Sequence, residues 1–260
     1  MNLNYHSFHI VDNSPWPLTN SLNIMSTMVN MISFIKFPTY ISMMYLKLTM
    51  ITTTLSAFVW WRDISRESTF QGCHSMFVTT GLKMGMLMFI VSEVMFFFSF
   101  FFSFFFFSLS PDSTWPPEDI SMFNPFQIPL LNTTILLSSG ATVTWAHHCI
   151  FTKNKKYADK ALTTTIFMGL VFSMLQYFEY LNSEFSMNDS VFGAVFYFMT
   201  GFHGIHVLIG TMFLSFSLIM MKLNQFNNNH HLSFEMSAWY WHFVDVVWIY
   251  LFTFVYWWFW

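Results

Sequence analysis

The 260-residue sequence is poor in charge: 9% of residues are Asp, Glu, Lys or Arg, against roughly 25% in an ordinary soluble domain. That deficit excludes a water-facing surface over most of the chain. The formal net charge of -3 and the lack of a basic tail leave no footprint for nucleic acid. Cysteine is nearly absent. Cys73 and Cys149 stand far apart in no CxxC pattern, which excludes a disulfide framework and a thiolate metal centre, so both read as packing residues. The first twenty residues lack the basic n-region and apolar core of a secretory signal and carry no Arg, so no cleaved leader is expected. No period of 20 to 50 residues repeats, which removes the signature of an inverted-repeat transporter.

What is present is hydrophobic and aromatic: 55% of residues are apolar and 22% aromatic, with 36 Phe. A soluble core of this size has no room for that surface, so hydrocarbon or partner helices must cover much of it. A helix needs about 20 mostly apolar residues to cross a ~30 Å hydrocarbon core. Seven segments qualify, near 16–35, 41–61, 79–108, 129–152, 159–182, 190–222 and 233–257. The first is the weakest, because Asn20, Asn23 and Asn30 interrupt it. Helices are required because an open strand leaves backbone groups unpaired in lipid. The expected fold is an all-α integral membrane protein with seven transmembrane helices in a single membrane domain, 1–260.

Loop charges orient these spans. Arg62 and Arg66 follow the second, Lys153, Lys155, Lys156 and Lys160 the fourth, and Lys222 ends the sixth, all on one side. The opposite loops carry Asp112, Glu118, Asp119, Glu184 and Asp189. The N-terminus therefore falls on the positive side and the C-terminus opposite, with Lys36 and Lys47 as exceptions that can snorkel. Trp60 and Trp61 at one expected helix end and the terminal YWWFW fit interfacial belts. Ten Phe and two Ser fill 96–107, read as lipid-facing and interhelical packing.

Ten His residues raise the question of haem or copper. His203 and His206 are i,i+3 on one helix, but Gly201 and Gly204 beside them point to close helix packing with polar cross-helix bonds. The adjacent pairs His147–His148 and His230–His231 diverge by about 100° on a helix, favouring interface hydrogen bonds, and no metal ligand is expected. Glu93, midway along an apolar span in SEVMFFF, must be neutral, paired or in contact with water or a lipid head group. It is either a structural carboxyl bonded to an intramembrane His or a proton-handling one. Glu179 and Asp245 read as structural hydrogen-bonding groups. In WWRDISRES, Arg62 and Arg66 lie one helical turn apart if the helix continues, so both can hold one lipid phosphate, while Asp63 and Glu67 can satisfy them internally.

Taken together, SPWPLT at 14–19, WWRDISREST at 60–69, SEVMFFF at 92–98, WPP at 115–117, NPFQIPLLNT at 124–133, TWAHH at 144–148, TGFHGIHVLIG at 200–210 and AWYWHFVDVVW at 238–248 resemble the cytochrome c oxidase subunit III family. The resemblance spans about residues 5–258. It implies a two-helix group (1–70) and a five-helix bundle (71–260) separated by a lipid-filled cleft, in the mitochondrial inner membrane, with the N-terminus on the matrix side and the C-terminus on the intermembrane-space side. It implies a non-redox subunit of the respiratory-chain enzyme that passes electrons from cytochrome c to oxygen and pumps protons. Catalytic residues, haem and copper are then expected in partner subunits, with bound phospholipids here. The expected partners are subunit I above all, then subunit II and small accessory subunits. By the same resemblance Glu93 matches the family's carbodiimide-reactive carboxyl, and Trp61, Arg62, Arg66, Phe70, His74 and His206 match positions lining the lipid cleft. The sequence departs from the family at Cys73, where His is common, at 99–107, where Phe replaces a Trp and a His, and at Met220–Met221–Lys222, a thinner basic edge. Lys222 is the expected compensating head-group contact. Two alternatives stand beside this reading: a purely structural scaffold, and a proton-conducting protein using Glu93 with Glu179, Asp245 or His206.

Overall fold

A computed structural model describes residues 7–111, 114–118, 120–226, 230–258 and 260. Asp112 and Asp119 of the expected acidic loop lie outside them. Seven α-helices run through the described residues: α1 (Trp16–Lys36), α2 (Tyr40–Thr69), α3 (Met76–Leu109), α4 (Ile128–Phe151), α5 (Lys155–Leu181), α6 (Val191–Lys222) and α7 (Leu232–Leu251), the last continuing into a π-helical stretch at Phe252–Trp257. The chain is an all-α membrane protein. Four helices, α3, α5, α6 and α7 with its extension, are long and apolar enough to cross a membrane by themselves. The 34 residues of α3 rise about 51 Å, well beyond a ~30 Å hydrocarbon core.

Helix starts follow local chemistry. Pro at the first turn opens α1 and α4, where its missing N–H is not needed. Thr39 and Ser42 form a reciprocal capping box at α2, and Ser190 accepts from Gly193 N–H at α6. The helix α2 runs eight residues past the predicted 61, so Trp60 and Trp61 lie inside it rather than at its end. The Arg, Asp, Glu, Ser, Ile and Thr of 62–69 are compatible with helix beyond the apolar run, and no Gly or Pro stops it before Gly72.

The chain divides into two compact units at Leu82–Lys83, within the first turns of α3. In the first, α1 packs along α2 through a polar seam. Trp16 Nε1 donates to Asp63 at 2.8 Å, Ser56 donates to Asn20 at 2.8 Å, Asn23 donates to Ser56 at 3.2 Å, and Thr27 and Thr53 bond at 2.9 Å. Positions 16, 20, 23 and 27 share one helical face. Two of the asparagines that weaken α1 as a hydrophobic run, Asn20 and Asn23, therefore supply cross-helix hydrogen bonds.

In the second unit α4 packs most extensively on α5, α6 touches both α5 and α7, and α7 also meets α4. Trp241 of α7 is fully buried, its ring lying where Cβ atoms on Gly169 and Gly210 would stand, 2.7 and 2.9 Å from it. Its Nε1 donates to Ser139 at 2.9 Å, and two turns later Trp248 donates to Thr133 at 3.0 Å. Side-chain-free surfaces at Gly169 and Gly210 thus admit the indole between α5 and α6. By contrast, Cβ atoms at Gly201 and Gly204 would meet nothing within 4 Å. The close packing expected at those two is carried within this chain by Gly169 and Gly210, because α6 turns its Gly210 face to α7.

Helix α3 meets α6 and α7 mainly through long aromatic side chains, as in Phe97–His206, Phe89–Tyr240 and Phe101–Phe254. Its Phe run divides by face: Phe97 and Phe104 are buried, whereas Phe98, Phe102 and Phe106 are exposed.

Candidate functional site

Glu93 lies midway along α3, and its side chain is 22% exposed. Its Oε2 sits 2.9 Å from Nε2 of His206, a buried residue of α6. The other imidazole nitrogen, Nδ1, is 2.6 Å from the Phe202 carbonyl one turn earlier. A carbonyl oxygen only accepts, so Nδ1 carries a proton and donates it. One proton is then left to share across the Glu93–His206 contact. It resides on the carboxyl, with Nε2 accepting, or on the imidazole, giving a carboxylate–imidazolium pair. Both forms have the same net charge, so passing between them avoids placing an isolated ion in a low-dielectric setting. Rings of Phe96, Phe97, Tyr240 and Phe243 surround the imidazole at centroid distances of 6.5, 5.0, 6.3 and 6.2 Å and fix its plane.

Glu179 and Asp245, the other intramembrane acids, have separate surroundings. Tyr256 donates to Glu179 at 2.7 Å, and Gln176 donates to Tyr256 at 3.3 Å. Asp245 lies beside Gly140 and 3.8 Å from His242. Their partners are thus Tyr256 and His242, whereas Glu93 meets His206 directly. His203, i,i+3 from His206, is enclosed instead by Phe172 and Trp248.

On α2, Arg62 makes two hydrogen bonds to Asp63, at 3.0 and 2.8 Å. Together with the Trp16 bond these hold the Asp63 carboxyl below its ordinary range, Arg62 contributing most. Internal pairing thus occupies Asp63, while Arg66 remains exposed one turn on and Glu67 meets His9 at 3.2 Å. Trp61 is 63% and Phe70 74% exposed. His74 stands against the His9 ring, and Lys222 is exposed at the end of α6. Sequence reasoning passed over Lys83 and Glu235, which pair at 2.5 Å; the i,i+4 spacing of His231 and Glu235 was the available signal.

These features define a polytopic helical membrane protein whose intramembrane acid is paired to an imidazole on a neighbouring helix. A family model described as cytochrome c oxidase subunit III matches residues 6–260. Curated relatives named cytochrome c oxidase subunit 3 include that of Rhipicephalus sanguineus, 52% identical over 98% of this chain and 99% of that protein. Those of Drosophila melanogaster (51%, 97% of each chain) and Heterololigo bleekeri (50%, 96% and 97%) are similar over comparable lengths. The chain belongs to the cytochrome c oxidase subunit III family.

Proposed function

We infer that this chain acts as a non-redox subunit of the terminal respiratory oxidase, the proton-pumping enzyme that passes electrons from cytochrome c to oxygen. Family membership over essentially the whole chain carries that conclusion. Within that enzyme Glu93 and His206 form a proton-holding pair that supports proton uptake, and the 2.9 Å contact with Nδ1 committed to Phe202 supports this role. The partly exposed Glu93 is the end that exchanges protons, and the more buried imidazole is the reserve.

Subunit I is the principal neighbour, with subunit II and small accessory subunits further partners. The outward row Phe98, Phe102 and Phe106 on α3 supports burial by helices or lipid. Phospholipid head groups bind at the end of α2, where exposed Trp61 and Phe70 flank Arg62 and Arg66, and at Lys222, with His74 and His206 as further lipid-contacting positions. The surrounding membrane is the mitochondrial inner membrane. The N-terminus faces the matrix and the C-terminus the intermembrane space, a reading supported by the Lys and Arg of the α4–α5 connection and the ends of α2 and α6.

The test is Glu93→Gln in the assembled oxidase, measuring proton-pumping stoichiometry, inactivation during turnover and retained phospholipid. Faster inactivation or weaker pumping, with haem and copper spectra unchanged, is expected. A scaffold role is favoured by one observation, that the pair satisfies itself locally; unchanged turnover, pumping and lipid would establish that reading instead.

A further inference from the structure

The adjacent histidine pairs that diverge along their own segments are each represented once in a three-residue cluster. One donor comes from near the C-terminal end of α4, one from the residue that precedes α7 and one from the first turn of α7. We propose that His147, His231 and Glu235 form a binding site for a zinc-class divalent cation. One ligand atom from each lies within 4.8 Å of the other two. Three points so spaced share a centre no more than about 2.8 Å from each. Side-chain adjustments of under about 1 Å therefore reach the 2.0–2.2 Å typical of zinc bonded to imidazole nitrogen and carboxylate oxygen.

The surroundings suit a cation. His147 Nε2 is buried and has no hydrogen-bond partner among the described residues. The rings of Phe151 and Phe234 wall the imidazoles, at 4.7 and 5.6 Å from His147 and, for Phe151, 5.0 Å from His231. The two oxygens of Glu235 are divided: Oε2 faces Lys83 at 2.5 Å, and Oε1 faces His231 Nε2 at 3.4 Å. Oε1 is thus the ligand oxygen, since Oε2 is taken by the Lys83 ammonium. Two imidazoles and one carboxylate select zinc over magnesium or calcium, which prefer all-oxygen shells, and leave one position open for water. The Lys83 ammonium opposes the added charge, so the site is moderate in affinity.

The test titrates zinc chloride, against a chromophoric chelator, into purified oxidase containing the wild-type chain, Glu235→Gln, His147→Phe or Lys83→Met. One zinc equivalent is expected to disappear in Glu235→Gln and His147→Phe. Lys83→Met is expected to tighten that equivalent by roughly tenfold. A purely hydrogen-bonding cluster predicts no such tightening. Equal zinc stoichiometry in all four complexes overturns the proposal. Should the ligand variants fail to assemble, zinc-edge anomalous diffraction from wild-type crystals at micromolar zinc decides it: a peak between the three side chains supports the site, and its absence overturns it.

Discussion

Replacing Glu93 in two ways separates its hydrogen bond from its proton. In Glu93→Leu the buried Nε2 of His206 loses its partner at 2.9 Å, while Nδ1 stays committed to the Phe202 carbonyl. An orphaned buried polar group costs about 1–3 kcal/mol. In Glu93→Gln the side-chain amide still reaches Nε2, and because Nδ1 already holds the ring proton, Nε2 accepts from the amide N–H. Its expected cost is below about 1 kcal/mol. His206→Phe removes the other half of the pair, and the double variant Glu93→Leu/His206→Phe leaves neither group unpaired. The coupling energy of that cycle should be about 1.5–3 kcal/mol, the range for a hydrogen bond involving a charged group, or roughly 10- to 150-fold in the unfolding equilibrium. SDS titration of the purified chain in mixed micelles, followed by near-ultraviolet circular dichroism, measures the four variants against the wild-type chain. Additivity within about 0.5 kcal/mol, or a Glu93→Gln cost equal to that of Glu93→Leu, would refute the assigned bond. If the bond stands, any loss of pumping in Glu93→Gln reports on the proton rather than on stability.

Glycine substitutions should divide by position. Gly169→Ala places a Cβ 2.5 Å from Thr211 and 2.7 Å from Trp241, whereas Gly201→Ala meets open space in this chain. Helix propensity cancels in their difference, leaving an overpacking cost of about 1–3 kcal/mol against Gly169→Ala in the same SDS titration. Trp241→Phe gives up the Ser139 bond and part of the indole volume, and a loss of about 1–3 kcal/mol is expected; a loss under 0.5 kcal/mol, on the order of an ordinary surface change, contradicts the packing argument. The folded Asp63 carboxyl lies below its ordinary value of 3.8. Its tie to Trp16 therefore contributes fully above that value and is lost as pH falls through the folded one. Amide protection factors in α1, taken against the intrinsic exchange rate at each pH, should fall on acidification, and Asp63→Asn should flatten that response. Arg62→Ala with Arg66→Ala should lower the phospholipid retained by the purified oxidase, and Lys222→Ala should lower it independently; unchanged lipid would remove these cations from the head-group sites.

The sequence by itself determined the solvent, the number of helices and, apart from the eight-residue overrun of α2, their limits within a few residues. Hydrophobic run length, proline at helix starts and hydroxyl caps act within one or two turns, so they are visible without tertiary contacts. It also singled out Glu93, because a carboxyl amid apolar residues needs a partner wherever the chain goes. The tertiary structure decided which partner, bringing His206 to it from 113 positions away and leaving Glu179 to Tyr256. It likewise turned Asn20 and Asn23 of α1 into rungs toward α2, and gave close packing to Gly169 and Gly210 rather than Gly201 and Gly204. Composition reports what a helix must bury or pair; the rotation of each helix about its own axis, set by packing against its neighbours, decides which groups meet.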